Sequence, residues 1–186
     1  KIINGYIYSY PMKGTINGSL QDAQKTLTSN TKEINEHNTI VDLIRNDLSK
    51  VAKEVKVTRF RYMNKIKTQK SEIFHTSSEI RGKLFKEWKK QLPEIILNML
   101  PAGSICGAPK EKTVSIIREV EQEKRGYYTG IFGFFDGENL DSAVNIRYLE
   151  KHQGEIRYRS GGGITSLSDL ESEYNELIEK IYVPVI

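Results

Sequence analysis

The chain has 186 residues, 38% hydrophobic and 28% charged, with a formal net charge of +4. That is enough for one substantial folded core, and the composition excludes a disordered or fibrous chain. A single cysteine, Cys106, excludes an internal disulfide framework and fits a reducing, cytoplasmic setting.

No run reaches the ~18 consecutive apolar residues of a membrane helix, so no membrane partner is expected. The basic residues are interleaved with acidic ones. They form no continuous basic face with stacking aromatics, so no nucleic-acid partner is expected either. The chain starts at Lys1 with strand-like residues and no signal-peptide pattern, and reads as the later part of something longer.

Residues 2–10 (IINGYIYSY) read as a strand and 10–18 as a Pro/Gly/Asn loop. A helix is expected near Ser19, where Ser19 and Asp22 have capping-box spacing. A second helix covers about 31–48, with Ile34, Val41, Ile44 and Leu48 at helical spacing. Residues 55–61 alternate as an antiparallel strand should, and 72–81 read as another. Residues 84–99 suggest a helix with Pro93 as a kink or a fresh start.

PAGSICGAP is a turn-rich loop, and Pro109 sits at the first position of a following helix. DGEN joins two strand-like segments, YYTGIFGFF and LDSAVNIRYLE, as a hairpin. EIRYRS is a further strand, and a glycine triplet precedes a last helix over about 168–182. Ser168 and Glu171 cap that helix, and Leu170, Tyr174, Leu177, Ile178 and Ile181 form its buried stripe. The pattern predicts one α+β domain over 1–186, with antiparallel sheets packed against helices.

Four features carry chemistry. Lys13 stands between Pro11, whose φ is fixed, and Gly14, which permits a tight change of direction. The pairs Glu33/Glu36 and Glu173/Glu176 each have i, i+3 spacing, which puts each pair on one helix face. Converging carboxylates repel unless a cation lies among them, and oxygen-only donors suit Mg²⁺. Either pair alone also fits a solvated helix face. His37 adjoins the first pair, but a di-iron site needs Glu-x-x-His on two helices, and that pattern is absent.

RYRSGGGIT places Arg157 and Arg159 before Gly161–Gly163, as a nest for an anion or as a sharp turn between strands. Arg147, read on one strand face with Asn145 and Leu149, suits a carboxylate clamp or a plain edge position. GSICGAPK lacks the Gly-Lys-Ser/Thr ending of a nucleotide loop.

PMKGT, EHNTIVDLIRNDLSKVA, LPAGSICGAPKEKTVSIIREVE, RGYYTGIFGFF, LDSAVNIR and SGGGITSLSDLESEYNE follow one another in this order. Together they resemble the chorismate-utilising enzymes: anthranilate synthase component I, aminodeoxychorismate (para-aminobenzoate) synthase component I, and the isochorismate and salicylate synthases. The likeness runs from about Pro11 to Tyr182 and matches the C-terminal part of such subunits. A Ser-Pro-Glu segment that they carry shortly before the Pro-x-x-Gly-Thr loop is missing.

The resemblance implies that fold and Mg²⁺-assisted chemistry on chorismate. It places Glu33, Glu36, Glu173 and Glu176 at the Mg²⁺ site, and His75 beside the ring hydroxyl that leaves. Thr15, Tyr128, Arg147, Gly161, Gly162, Gly163 and Lys180 correspond to groups that hold the substrate. Glu79 departs from the small or polar residue usual at its place.

Lys13 resembles the aminodeoxychorismate synthase branch, since anthranilate and salicylate synthases usually carry alanine there. That branch implies Lys13 as nucleophile, ammonia from a glutamine amidotransferase subunit, and a place in folate biosynthesis. Anthranilate or isochorismate/salicylate synthesis is the in-family alternative, and a catalytically incomplete fragment the other.

Overall fold

The structure is a computed structural model that describes residues 1–17, 31–67, 72–166, 168–179 and 181. The strands are β1 (Ile2–Ile3), β2 (Tyr6–Ser9), β3 (Met12–Asn17), β4 (Lys53–Lys67), β5 (Glu72–Lys83), β6 (Ile131–Phe135), β7 (Leu140–Val144), β8 (Tyr148–His152) and β9 (Glu155–Arg159). The helices are α1 (Thr31–Ser49), α2 (Leu92–Met99), α3 (Gly103–Cys106), α4 (Lys110–Glu121) and α5 (Leu170–Glu179), with a 3-10 turn over Trp88–Gln91 before α2. The helix expected near Ser19 lies outside the described residues.

Seven strands form one sheet, in the order β3-β5-β2-β1-β7-β6 with β4 on the free side of β5, and β8 and β9 form a separate pair. Every pairing for which a register is defined is antiparallel. Backbone contacts divide the chain into two compact units, 1–122 with 133–142, and 123–132 with 143–186.

The first unit holds the core. β5 is its axis: β4 pairs along its whole length, and β2 and β3 share its other side. One face of α1 (Val41, Ile44, Leu48) packs with Ile2, Ile7, Ile80, Leu84, Trp88 and Ile95. Phe74 and Ile80, both buried, lie on the same side of β5 as Ser78.

Two expectations fail here, one through turn chemistry and one through strand pairing. Residues 2–10 are not one strand: Asn4 and Gly5 take φ of 51° and 76°, and fold the segment into a β1–β2 hairpin. An Asn-Gly pair flanked by alternating apolar residues is a strong hairpin signal, and it outweighs the strand propensity on either side. Residues 12–17 are not a loop, because pairing with β5 satisfies their backbone groups. A register shift between Lys13 and Thr15 absorbs Gly14.

Pro93 marks a fresh start, near the N-terminus of α2. PAGSICGAP holds the one-turn α3, and Pro109 is the N-cap of α4 instead of its first residue.

Asp47, at the end of α1, ties these later elements down. Its carboxylate accepts hydrogen bonds from Lys110 Nζ at 2.8 Å, Lys50 Nζ at 2.9 Å and the Gly103 amide at 3.0 Å. Burial alone would raise the Asp47 pKa, but the lysines and the amide outweigh it and hold it below the usual carboxylate value. The folded pKa is the depressed one. The contribution to stability is therefore full above the unfolded value near ~4 and is lost as pH falls through the folded value. Asp47→Ala is expected to cost about 2–3 kcal/mol at pH 7, less than a dry pair because both lysines keep some access to water. Denaturant titrations of parent and variant between pH 7 and the acid limb should show the gap closing as pH falls. A gap that is constant with pH would assign the cost to packing alone.

The second unit is differently built. β8 and β9 pair from Tyr148↔Arg159 to His152↔Glu155 across a Gln153–Gly154 turn. Arg147 falls between β7 and β8 and not within a strand. The Asn145 amide bonds Gly130 O and Asn145 O accepts from Thr129 N, which takes Asn145 out of the ladder. The cap of α5 is Asp169, whose Oδ1 accepts the Ser172 amide at 2.9 Å, and not the Ser168–Glu171 box.

Most of the stripe expected to be buried on α5 is exposed, with Leu170 86% and Ile178 48% accessible, while Leu177 is half-buried. All the fully buried hydrophobic residues among those described belong to the first unit. Helical period specifies an apolar face but not the surface that covers it.

Candidate active site

The catalytic candidates of the first unit gather on β3, β5 and α1. Backbone register sets Lys13 opposite Thr76 and Thr15 opposite His75. On the other side of β5, His75 faces Asn64 of β4. His75 to Ser78 form a run of four buried polar residues in a central strand. Such a run is costly unless its groups find partners. Ser77 Oγ accepts from Asn64 Nδ2 at 3.2 Å, and Ser78 Oγ accepts the Arg61 amide at 2.9 Å. Burial lowers the His75 pKa and keeps the ring neutral. Glu79, the departure from the resembled pattern, sits opposite Arg59 and accepts a 2.5 Å hydrogen bond from Thr58 Oγ1.

Glu33 and Glu36 stand on the first turns of α1, both half-buried, and Glu33 Oε2 is shielded from solvent. His37, the next residue, is fully buried. Its Nε2 is 2.7 Å from Ser78 Oγ, and its ring meets Phe60 edge-on at 5.9 Å. Burial, and then the positive charge of Arg61, lower its pKa.

In the second unit, Tyr128 lies against Gly161: a Cβ added at Gly161 would fall 1.9 Å from the Tyr128 hydroxyl. Arg125 sits 5.5 Å over the Tyr128 ring and donates to Thr129 Oγ1 at 3.1 Å. Gly162 and Gly163 are exposed, with open space where a side chain would be, and Arg147 is exposed. Glu173 is half-buried and accepts a 2.6 Å hydrogen bond from Ser168 Oγ, while Glu176 is exposed. Lys180 lies outside the described residues.

Carboxylate oxygens are donors of the type a hard cation takes. Mg²⁺ takes one or two carboxylates, with waters and substrate oxygens completing the shell. Each helix offers one such pair, Glu33/Glu36 partly withdrawn from solvent and Glu173 oriented by Ser168. No three His, Cys, Asp or Glu side chains meet at one point among the described residues. Sequence reading did not assign the partners Ser78, Arg125 and Ser168. Of these, Arg125 is spaced i, i+3 from Tyr128, whereas Ser78 could be found only from strand pairing.

The profile of the chorismate binding enzymes matches residues 1–185. The chain belongs to that family. Two relatives described as uncharacterized PabA-like proteins are 60% identical (Pasteurella multocida, 99% of this chain and 57% of that protein) and 56% identical (Haemophilus influenzae, 96% and 55%). The chain thus spans about half the length of these curated relatives. Anthranilate synthase component I from Streptococcus pneumoniae superposes with a TM-score of 0.79 at 30% identity, covering 96% of this chain and 40% of that one. The mixed helix and antiparallel-sheet architecture is therefore that of the chorismate-utilising enzymes. No helix among the described residues is long and apolar enough to cross a membrane.

Proposed function

We propose that this chorismate-binding chain is the catalytic part of an aminodeoxychorismate synthase, converting chorismate to 4-amino-4-deoxychorismate through a covalent bond to Lys13. One observation carries the reading. A family member has lysine in the PMKGT segment, one bulge away from the Thr15–His75 pair.

The steps balance. The unprotonated Lys13 amine forms a C–N bond at C2 of the ring, both ring double bonds shift towards C4, and the C4 hydroxyl leaves as water with a proton from the amine. Ammonia then bonds C4, both double bonds shift back, and the C2–N bond breaks, with a proton from the new ammonium returning to the departing Lys13 nitrogen. Two displacements replace one difficult exchange at C4. His75, neutral and buried, serves as hydrogen-bond donor to the departing hydroxyl. Tyr128, Arg147, the Gly161–Gly163 backbone and Lys180 hold the substrate, with Thr15 beside the reacting face.

Glu33, Glu36, Glu173 and Glu176 would hold Mg²⁺. When bound, it orients the ring carboxylate and polarises it as a Lewis acid. Ammonia comes from a separate glutamine amidotransferase subunit in the cytoplasm. The PabA-like names of the two relatives support a para-aminobenzoate, and hence folate, assignment.

The test is a mass measurement. With Mg²⁺ and chorismate but no ammonia, the peptide bearing Lys13 should gain the mass of chorismate less one water. An unmodified Lys13 in a preparation that turns over once ammonia is added would sink the covalent role. The likeness to the Streptococcus pneumoniae enzyme favours anthranilate formation as the second reading, and identification of the aminated product separates the two.

A further inference from the structure

We infer that His37 is the positioning residue of the Glu33/Glu36 pair, holding the carboxylate-bearing turns of α1 against β5 through its hydrogen bond to Ser78. This rests on the reading of that pair as Mg²⁺ ligands. Helix N-termini carry unsatisfied amides and fray first. The fully buried apolar residues of α1, Val41 and Leu48, lie in its later turns and leave the first turns without such an anchor.

His37 supplies one. It is 0% exposed, follows Glu36 directly and lies one turn after Glu33 on the same face. Its Nε2 reaches Ser78 Oγ at 2.7 Å, and Phe60 closes on the ring edge-on. Elements α1, β4 and β5 therefore meet at one imidazole.

An aliphatic side chain would fill the same space. It would leave Ser78, 0% exposed and already accepting the Arg61 amide, with an unused buried hydroxyl. Ser78 is three residues from His75 on the same strand. The bond thus fixes the carboxylate pair relative to the strand that bears the catalytic histidine.

The experiment is calorimetric titration of the full chain with Mg²⁺, with melting temperatures in chelator as the folding control. His37→Ala should weaken Mg²⁺ binding about 10–100-fold, the usual effect of losing a group that orients a ligand. Ser78→Ala should weaken it similarly, and the double variant no further, because the His37–Ser78 bond is already absent from either single variant. His37→Gln keeps a side chain of similar reach that can donate to or accept from Ser78 Oγ, and should recover most of the affinity. If His37→Ala fails to fold, Ser78→Ala decides.

His37→Ala binding within twofold of the parent, or additive losses in the double variant, overturns the inference. Glu33→Gln separates the two failures. If it leaves Mg²⁺ binding unchanged, the carboxylate assignment falls and the inference with it. If it abolishes binding while His37→Ala and Ser78→Ala do not alter it, only the inference falls.

Discussion

Lys13→Ala should lower formation of 4-amino-4-deoxychorismate by about 10³-fold or more, with chorismate binding retained. The size follows from the role. Without the amine, ammonia must displace the C4 hydroxyl directly, and the divided barrier becomes a single high one. The retained binding follows from where the proposed substrate contacts lie. Tyr128, Arg147 and the glycines are on other elements, and the Thr15–His75 pairing is made by backbone register. The loss should appear in kcat, with KM moved little. Steady-state kinetics with ammonium as nitrogen source, and a chorismate titration of the inactive variant, check both halves. Parent-like kcat in the variant would remove Lys13 from the chemistry and favour direct amination, as in the anthranilate reading.

Gly161→Ala should lower kcat/KM for chorismate by about 10²-fold if Tyr128 and Gly161 hold the substrate as proposed, because misplacement of about 1 Å in such a group costs that much. The new Cβ would fall 1.9 Å from the Tyr128 hydroxyl and 3.0 Å from its ring carbon. Neither can be tolerated in place. To admit the Cβ the tyrosine ring must move out of its place under Arg125, which sits 5.5 Å over the ring. Tyr128→Phe in the same chain removes the worst contact and should restore part of the loss, though the ring carbon stays close. If Gly161→Ala leaves kcat/KM unchanged, Tyr128 and the glycine segment do not act as one substrate-holding unit.

Much of the architecture was legible in the residues. Val41, Ile44 and Leu48 marked α1 and its inward face, and all three pack there. The Asp-Gly signal at 136–137 marked the β6–β7 turn, where Asp136 Oδ1 accepts the amides of Glu138 and Asn139. Other departures come from partners distant in sequence. Pairing with β5 turned an apparent loop into β3. The amides around Asn145 found Thr129 and Gly130, and took Arg147 out of its expected strand.

The sequence by itself determined which groups exist and how they are spaced along one element. It determined two carboxylate pairs at i, i+3, a lysine beside glycine, and a motif order that identifies the family. These depend on local period and residue chemistry, which the chain carries without folding. Only the tertiary structure decided which groups meet. Thr15 pairs with His75 through strand register, Tyr128 closes on Gly161, and His37 reaches Ser78 forty-one residues away. It also decided that most of the apolar stripe of α5 stands exposed. Contacts of that kind depend on long-range pairing and burial, and no periodicity within a segment encodes its partner.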